Sequence, residues 1–122
     1  MRILICGSRH WTNQDFIYHT LLDVALESML QPNEVTIISG GAKGADTHAE
    51  NIAKLCGCML EVFPANWSKF GKSAGPRRNI QMLDSGVDLV LAFSPDLTKS
   101  KGTAHTVREA RKRNIPTRVF NG

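Results

Sequence analysis

Residues 37 to 50 read I-I-S-G-G-A-K-G-A-D-T-H-A-E. A β-branched run, Val35 to Ile38, enters three glycines within five positions, Gly40, Gly41 and Gly44. Apolar residues at helical spacing follow, Ala45, Ala49, Ile52, Ala53 and Cys56, up to Gly57. Strand, glycine turn, helix is the outline of an anion site. Glycines let a ligand approach the backbone, and the free N–H groups and dipole of the helix start favour negative charge. The stretch is not a P-loop, because Lys43 precedes Gly44 and Ala45 follows it. It is not G-x-G-x-x-G either, since Gly40 and Gly41 are adjacent. Taken alone, such a turn serves tight packing as readily as phosphate binding.

Toward the N-terminus, Arg2 to Cys6 form an apolar run that Gly7 stops, the pattern of a buried strand. Its exit, Gly7-Ser8-Arg9-His10-Trp11, offers a glycine, a hydroxyl and a guanidinium fork to an anion. Trp11 reads as a core or lid residue. Asn13 is placed to cap a helix with Asp15 in its first turn. Ile17, Leu21, Val24, Ala25 and Ser28 mark one face, widened by Leu22, Leu26 and Met29, so this helix is expected to reach about Leu30 before Pro32.

Toward the C-terminus, Met59 to Phe63 read as a third strand. The segment that follows, P-A-N-W-S-K-F-G-K-S-A-G-P-R-R-N, holds Trp67 and Phe70 in a loop of the length that lids have. Pro76 suits the first position of the next helix, which would set Arg77 and Arg78 in its first turn against the dipole. That local conflict points to an anionic ligand. Asp88 to Phe93 read as strand four, and Gly102 and Thr103 open the last helix with a third phosphate-friendly turn. That helix directs Ala104, Val107 and Ala110 inward and Arg108, Arg111, Lys112 and Arg113 largely outward. It ends at Asn114, before a fifth strand, Thr117 to Phe120.

At 122 residues and 42% hydrophobic content the chain is expected to form one domain, residues 1–122. A net charge of +4 and a pI near 9.2 permit a polyanionic partner without requiring one. No run approaches the ~18 apolar residues of a membrane span, and the N-terminal run is too short for a secretory signal. The expectation is a cytoplasmic protein with no membrane partner. Three cysteines, an odd number, agree with a reducing compartment. Cys56 and Cys58 lack a second pair or a histidine cluster, so neither a metal nor a resident cofactor is expected, and Cys6 reads as core.

Five β-rich segments alternating with helices predict an α/β fold: a Rossmann-like three-layer sandwich around a five-stranded parallel sheet of order 3-2-1-4-5. In that order the chain reverses between strands 1 and 4, and ligands bind beyond the carboxyl ends at such a switch point. The glycine turns after strands 1, 2 and 4 would then converge.

Five motifs in order, G-S-R-H-W at 7 to 11, S-G-G-A-K-G-A-D at 39 to 46, P-A-N-W at 64 to 67, A-G-P-R-R-N-I-Q-M at 74 to 82 and K-G-T-A-H-T at 101 to 106, give the chain a family likeness. It resembles the SLOG superfamily, which joins DNA-processing DprA/Smf proteins with LOG-type nucleotide phosphoribohydrolases. More narrowly, it is similar to the small stand-alone YspA-type SLOG proteins of bacteria and phages. The resemblance implies a nucleotide-related ligand, ADP-ribose-like or another nucleoside phosphate, in the predicted cleft, and assembly as a homo-oligomer. LOG-type enzymes share an Arg four residues before a Met, matched by Arg78 and Met82, and carry a catalytic Glu in a G-G-x-G-T-x-x-E turn. Thr106 stands at the place of that Glu.

The candidate ligand contacts are Gly7, Ser8, Arg9, Gly40, Gly41, Ala42, Lys43, Gly44, Asp46, Trp67, Arg78, Asn79, Gly102 and Thr103. Arg9, Arg78 and Thr103 are expected on phosphate, and Asp46 on ribose hydroxyls. The first reading is a nucleotide-binding sensor or sequestering module. The second is a hydrolase of N-glycosidic bonds in which Asp46 and Arg78 are catalytic, with His48 and His105 ranked behind them. The third is binding of single-stranded nucleic acid through the basic last helix.

Overall fold

Neighbouring side chains of a strand point to opposite faces, so a strand that is apolar at every position has a core on each side. The computed structural model describes residues 1–122, and its first strand, β1 (Arg2–Gly7), is of this kind from Ile3 to Cys6. Ile3 and Ile5 enter a core of 15 buried residues, and Leu4 and Cys6 enter one of 9. Parallel neighbours flank β1: β2 (Thr36–Ser39) on one side and β4 (Leu89–Phe93) on the other. The edges are β3 (Met59–Val62) and β5 (Thr117–Phe120), which gives the order 3-2-1-4-5 expected from the alternation.

Five helices connect the strands: α1 (Gln14–Glu27), α2 (Ala45–Cys56), α3 (Trp67–Phe70), α4 (Ala74–Asp84) and α5 (Lys101–Lys112). Ile17, Leu21 and Val24 of α1 and Ala45, Ala49, Ile52 and Ala53 of α2 seal the larger core. Met82 and Leu83 of α4 and Val107 and Ala110 of α5 seal the other. Each fully buried aliphatic side chain contributes roughly 1.5–3 kcal/mol.

Several boundaries differ from the sequence reading for local reasons. α1 stops at Glu27 rather than Leu30, because Met29 takes a left-handed φ of 55°. Leu22, Leu26 and Met29, read as widening the buried face, are instead exposed. The long segment after β3 is wound into α3 and a 3-10 turn, Gly71–Ser73, that runs directly into α4. Pro76 is therefore the third helical residue, not the first. Its missing N–H still costs nothing there, because the first four N–H groups of a helix have no internal acceptor. Arg77 and Arg78 consequently stand at the start of the second turn. On α5, Thr103 and Thr106 are buried with Val107 and Ala110, whereas Ala104 lies outside the core.

Trp11 belongs to the core. It is 6% exposed, its ring lies 5.5 Å from that of Phe93 and 5.8 Å from that of Phe16, and its N–H donates to the Asn13 carbonyl at 2.9 Å. Asn13 caps α1 through the Phe16 amide at 3.1 Å. The chain between β1 and α1 is thus fastened at both ends, which holds Ser8 and Arg9 at the sheet edge.

Candidate ligand-binding cleft

β1 and β4 end side by side, with Gly7 opposite Phe93. The Ser8 N–H donates to the Phe93 carbonyl at 2.9 Å, and the Ser8 carbonyl accepts from the Ala45 N–H at 3.1 Å and the Trp11 N–H at 3.2 Å. One residue therefore joins the end of β4, the start of α2 and the loop leading to α1. Gly44 closes this junction with a φ of 74°, and a Cβ there would lie 2.5 Å from the Arg9 carbonyl oxygen. Only glycine lets the two turns interlock.

The convergence leaves a cleft of about 690 Å³ beyond the ends of β1 and β4, walled by the first turns of α4 and α5. This is the size of a small-ligand site. Gly7, Ser8, Arg9, Ala42, Asp46, Trp67, Arg78, Asn79, Gly102 and Thr103 line it, as do His105 and Thr106. Gly40, Gly41, Lys43 and Gly44 do not. His48 also lies elsewhere, with Nδ1 2.9 Å from Gln14 Oε1 between α2 and α1.

The second glycine turn uses its amides internally. The Gly41 N–H donates to Ser39 Oγ at 3.2 Å, and the Ser39 hydroxyl donates to Glu50 at 2.7 Å. The Ala42 N–H donates to Asp46 Oδ2 at 3.1 Å. Asp46, 6% exposed, is thus an internal anion in the turn that the sequence suggested for phosphate. Burial pushes its carboxyl up to about 6, against the pull of the Ala42 amide and the Arg78 guanidinium.

Arg78 donates to the Gly40 carbonyl, and its Nε donates to Asn79 Oδ1 at 3.0 Å. Burial lowers its pKa, with Asp46 opposing that effect. Buried Asn79 also donates to the Gly102 carbonyl at 3.3 Å and faces His105 Nδ1 at 3.3 Å. The carboxamide N–H₂ can only donate, so a hydrogen bond here uses His105 Nδ1 as its acceptor. Burial, which leads among the causes holding its pKa below the usual value, agrees. Asn79 therefore locks α4 to α5 and, through Arg78, to the second turn. The Thr106 hydroxyl donates to the Gly102 carbonyl at 3.2 Å, so no carboxylate occupies the position matching the LOG-type Glu. Cys6 forms part of the floor, where burial keeps its thiol protonated.

Charge divides unevenly between cleft and surface. Six of the fifteen Lys and Arg line the cleft with one of the eleven Asp and Glu, leaving nine cations against ten acids elsewhere. The ion pairs are all outside it: Arg2 with Glu61, Lys112 with Glu109, Arg113 with Asp84, and Arg118 with Glu27. Arg9, Lys72, Lys99, Lys101 and Arg108 point no side-chain hydrogen bond or ion pair at the protein itself. Arg108, read from the sequence as outward with Arg111, Lys112 and Arg113, stands at the cleft rim. Lys72, Lys99 and Lys101 were missed. A usable signal for two of them was present, the pair of lysines around Ser100 just ahead of the Gly102-Thr103 turn. No three His, Cys, Asp or Glu side chains gather to hold a metal ion, and no helix is long and apolar enough to cross a membrane.

Residues 1–70 match the sequence model of a family described as YspA, cpYpsA-related SLOG family. The chain is 38% identical over 124 residues to the Gene 61 protein of Mycobacterium phage D29, a match that covers 98% of this chain and 95% of that one. No solved structure matches. The family match contains the first two strand-end turns and Trp67. Arg78, Asn79 and the turn at Gly102 lie beyond it, within the longer match to the phage protein.

Proposed function

The chain belongs to the YspA, cpYpsA-related SLOG family, and from that premise we propose that it binds a nucleotide or nucleotide-derived small molecule at the C-terminal ends of β1 and β4. ADP-ribose-like molecules and other nucleoside phosphates are the class intended, and the role is that of a sensor or sequestering module. Membership in the family suggests a nucleotide-related ligand at the general level. The finer reading rests on one observation: five cations without a protein partner, with Arg78, surround a cleft that holds a single carboxylate. Like charges gathered in a concave site repel one another and raise the local potential, and a ligand of two or more negative charges relieves both. α5 adds donors. No side chain caps its first turn, so the amides of Lys101, Gly102 and Thr103 are left for an anion. The Ser8 Oγ accepts from the His10 N–H at 3.1 Å, which leaves its own proton to donate.

Titration calorimetry and thermal shift with ADP-ribose, NAD, AMP and cyclic nucleotides test this reading. One of these ligands binds stoichiometrically, and Arg9→Gln and Lys101→Gln each weaken it by about tenfold or more, the value of a charge-assisted hydrogen bond. A wild-type protein that binds none of them removes the proposal.

A hydrolytic reading draws on the Asp46 carboxyl, held near 6 in the same cleft as Arg78. Asp46 would accept a proton from water as the oxygen adds to the anomeric carbon. The N-glycosidic bond would break and its electron pair would leave with the base, adenine of AMP then taking a proton from solvent and nicotinamide of NAD, cationic beforehand, leaving neutral without one. Chromatography of AMP and NAD after hours at high protein concentration decides it, since unchanged substrate excludes this chemistry.

A further inference from the structure

Tryptophan is usually well buried, yet the two in this chain differ sharply: Trp11 is 6% exposed and Trp67 is 60% exposed. Trp67 opens α3, and a helix of four residues does not persist without fasteners. Two are present. The Asn66 side chain accepts from the Lys69 N–H at 3.1 Å and from the Ser68 hydroxyl at 3.0 Å. Phe70 carries the Lys69 ammonium 5.1 Å and the Arg77 guanidinium 4.4 Å from its ring centroid. Phe70 is therefore already engaged, and Trp67 is the ring left free.

Its seat is specific. A Cβ on Gly75 would lie 3.3 Å from Trp67 Cη2, so the bare backbone of the first turn of α4 supports the far edge of the indole. Trp67 also lines the cleft, and its N–H makes no hydrogen bond within the protein. We infer that Trp67, seated on Gly75, is a stacking platform for the base of the ligand, so that the cleft selects nucleoside phosphates over sugar phosphates that lack a base. This rests on the nucleotide-binding reading and deepens it. The cations of the cleft take the phosphates, and the indole takes the base, whose flat face suits any purine or pyrimidine.

ADP and inorganic pyrophosphate are the probes, since they share the diphosphate and differ by the nucleoside. Calorimetry is paired with tryptophan fluorescence, in which Trp67 is the exposed emitter and Trp11 the buried one. ADP binds the wild type and quenches its emission, whereas pyrophosphate binds without quenching. Trp67→Ala weakens ADP by roughly tenfold or more and leaves pyrophosphate unchanged, and Trp67→Phe, which keeps a ring, retains most of the ADP affinity. Gly75→Ala, compatible with a helix, requires the indole to give by only a few tenths of an ångström and so lowers ADP affinity by less than Trp67→Ala, with pyrophosphate unchanged. Equal ADP affinity in wild type and Trp67→Ala overturns the platform while the nucleotide site stands. Loss of both probes together in Trp67→Ala also overturns it, making Trp67 a fastener of the loop. Failure of both probes to bind the wild type overturns the platform, while the nucleotide site is decided separately by ADP-ribose, NAD, AMP and cyclic nucleotides in the same assay.

Discussion

Asp46 carries opposite consequences for stability and for the cleft. Its pKa in the folded protein is about 6, above the ~3.9 of an exposed aspartate. Between these values the folded state keeps a proton that the unfolded chain has lost, so stability falls as pH rises from about 4 to about 6. Above that window the full cost applies, about 3 kcal/mol for a shift of roughly two units. Asp46→Asn keeps an acceptor for the Ala42 amide and removes the charge. Urea unfolding of the two proteins should give a stability difference that moves in favour of the variant, by on the order of 2 kcal/mol, between pH 4 and pH 6.5, and then levels off. A difference that does not change with pH contradicts this account of Asp46. A buried carboxylate held at such a cost is typical of functional sites. The sequence marked Asp46 as a site residue, because it follows the glycines at a helix start. Its service as the internal anion of that turn could not be read there, since it depends on the Ala42 amide turning back toward α2.

At the level of elements, the strands and long helices were legible because each carries its period in the sequence. β4 is apolar throughout and β1 from Ile3 to Cys6, and α2 repeats small residues at helical spacing. α3 carried no such signal, being a single turn defined by the Asn66 cap. The start of α4 was misjudged because proline is equally tolerated anywhere in the first turn. The meeting of the glycine turns was legible from strand order, whereas their interlocking depends on backbone angles. Gly44 and Gly57 make that distinction testable: both have a positive φ, 74° and 77°, with ψ at −122° in Gly44 and 22° in Gly57. A Cβ at Gly57 meets nothing within 4 Å, whereas one at Gly44 strikes the backbone of Ser8 and Arg9. Gly57→Ala should cost about 1 kcal/mol, and Gly44→Ala at least about 2 kcal/mol more, with loss of ligand binding. Equal losses in a denaturant titration would mean that the turns do not depend on each other.

For the molecule as a whole, the net charge of +4 is a property of one cleft rather than of the surface. Composition could not reveal this, because it depends on which cations the fold pairs with acids. Four of the nine cations outside the cleft, Arg2, Lys112, Arg113 and Arg118, have carboxylate partners, and none of the six in the cleft does. The same division bears on α5 as a nucleic-acid surface. Two of the four cations expected outward there are paired, and Arg108 stands at the cleft. A small polyanion at the switch point fits this distribution better than a strand laid along that helix.

The most direct measurement follows the backbone amide resonances of the isotope-labelled protein as ADP-ribose, ADP, NAD and AMP are added in turn. The account predicts saturable shifts, with at least one of them, at Ser8 and Arg9, at Gly75 and Arg77 to Asn79, and at Lys99 to Thr103, with little change across α1 and the outer face of α2. Spectra that stay unchanged at millimolar concentrations of all four, or shifts gathered on the α1 side of the sheet, would contradict it.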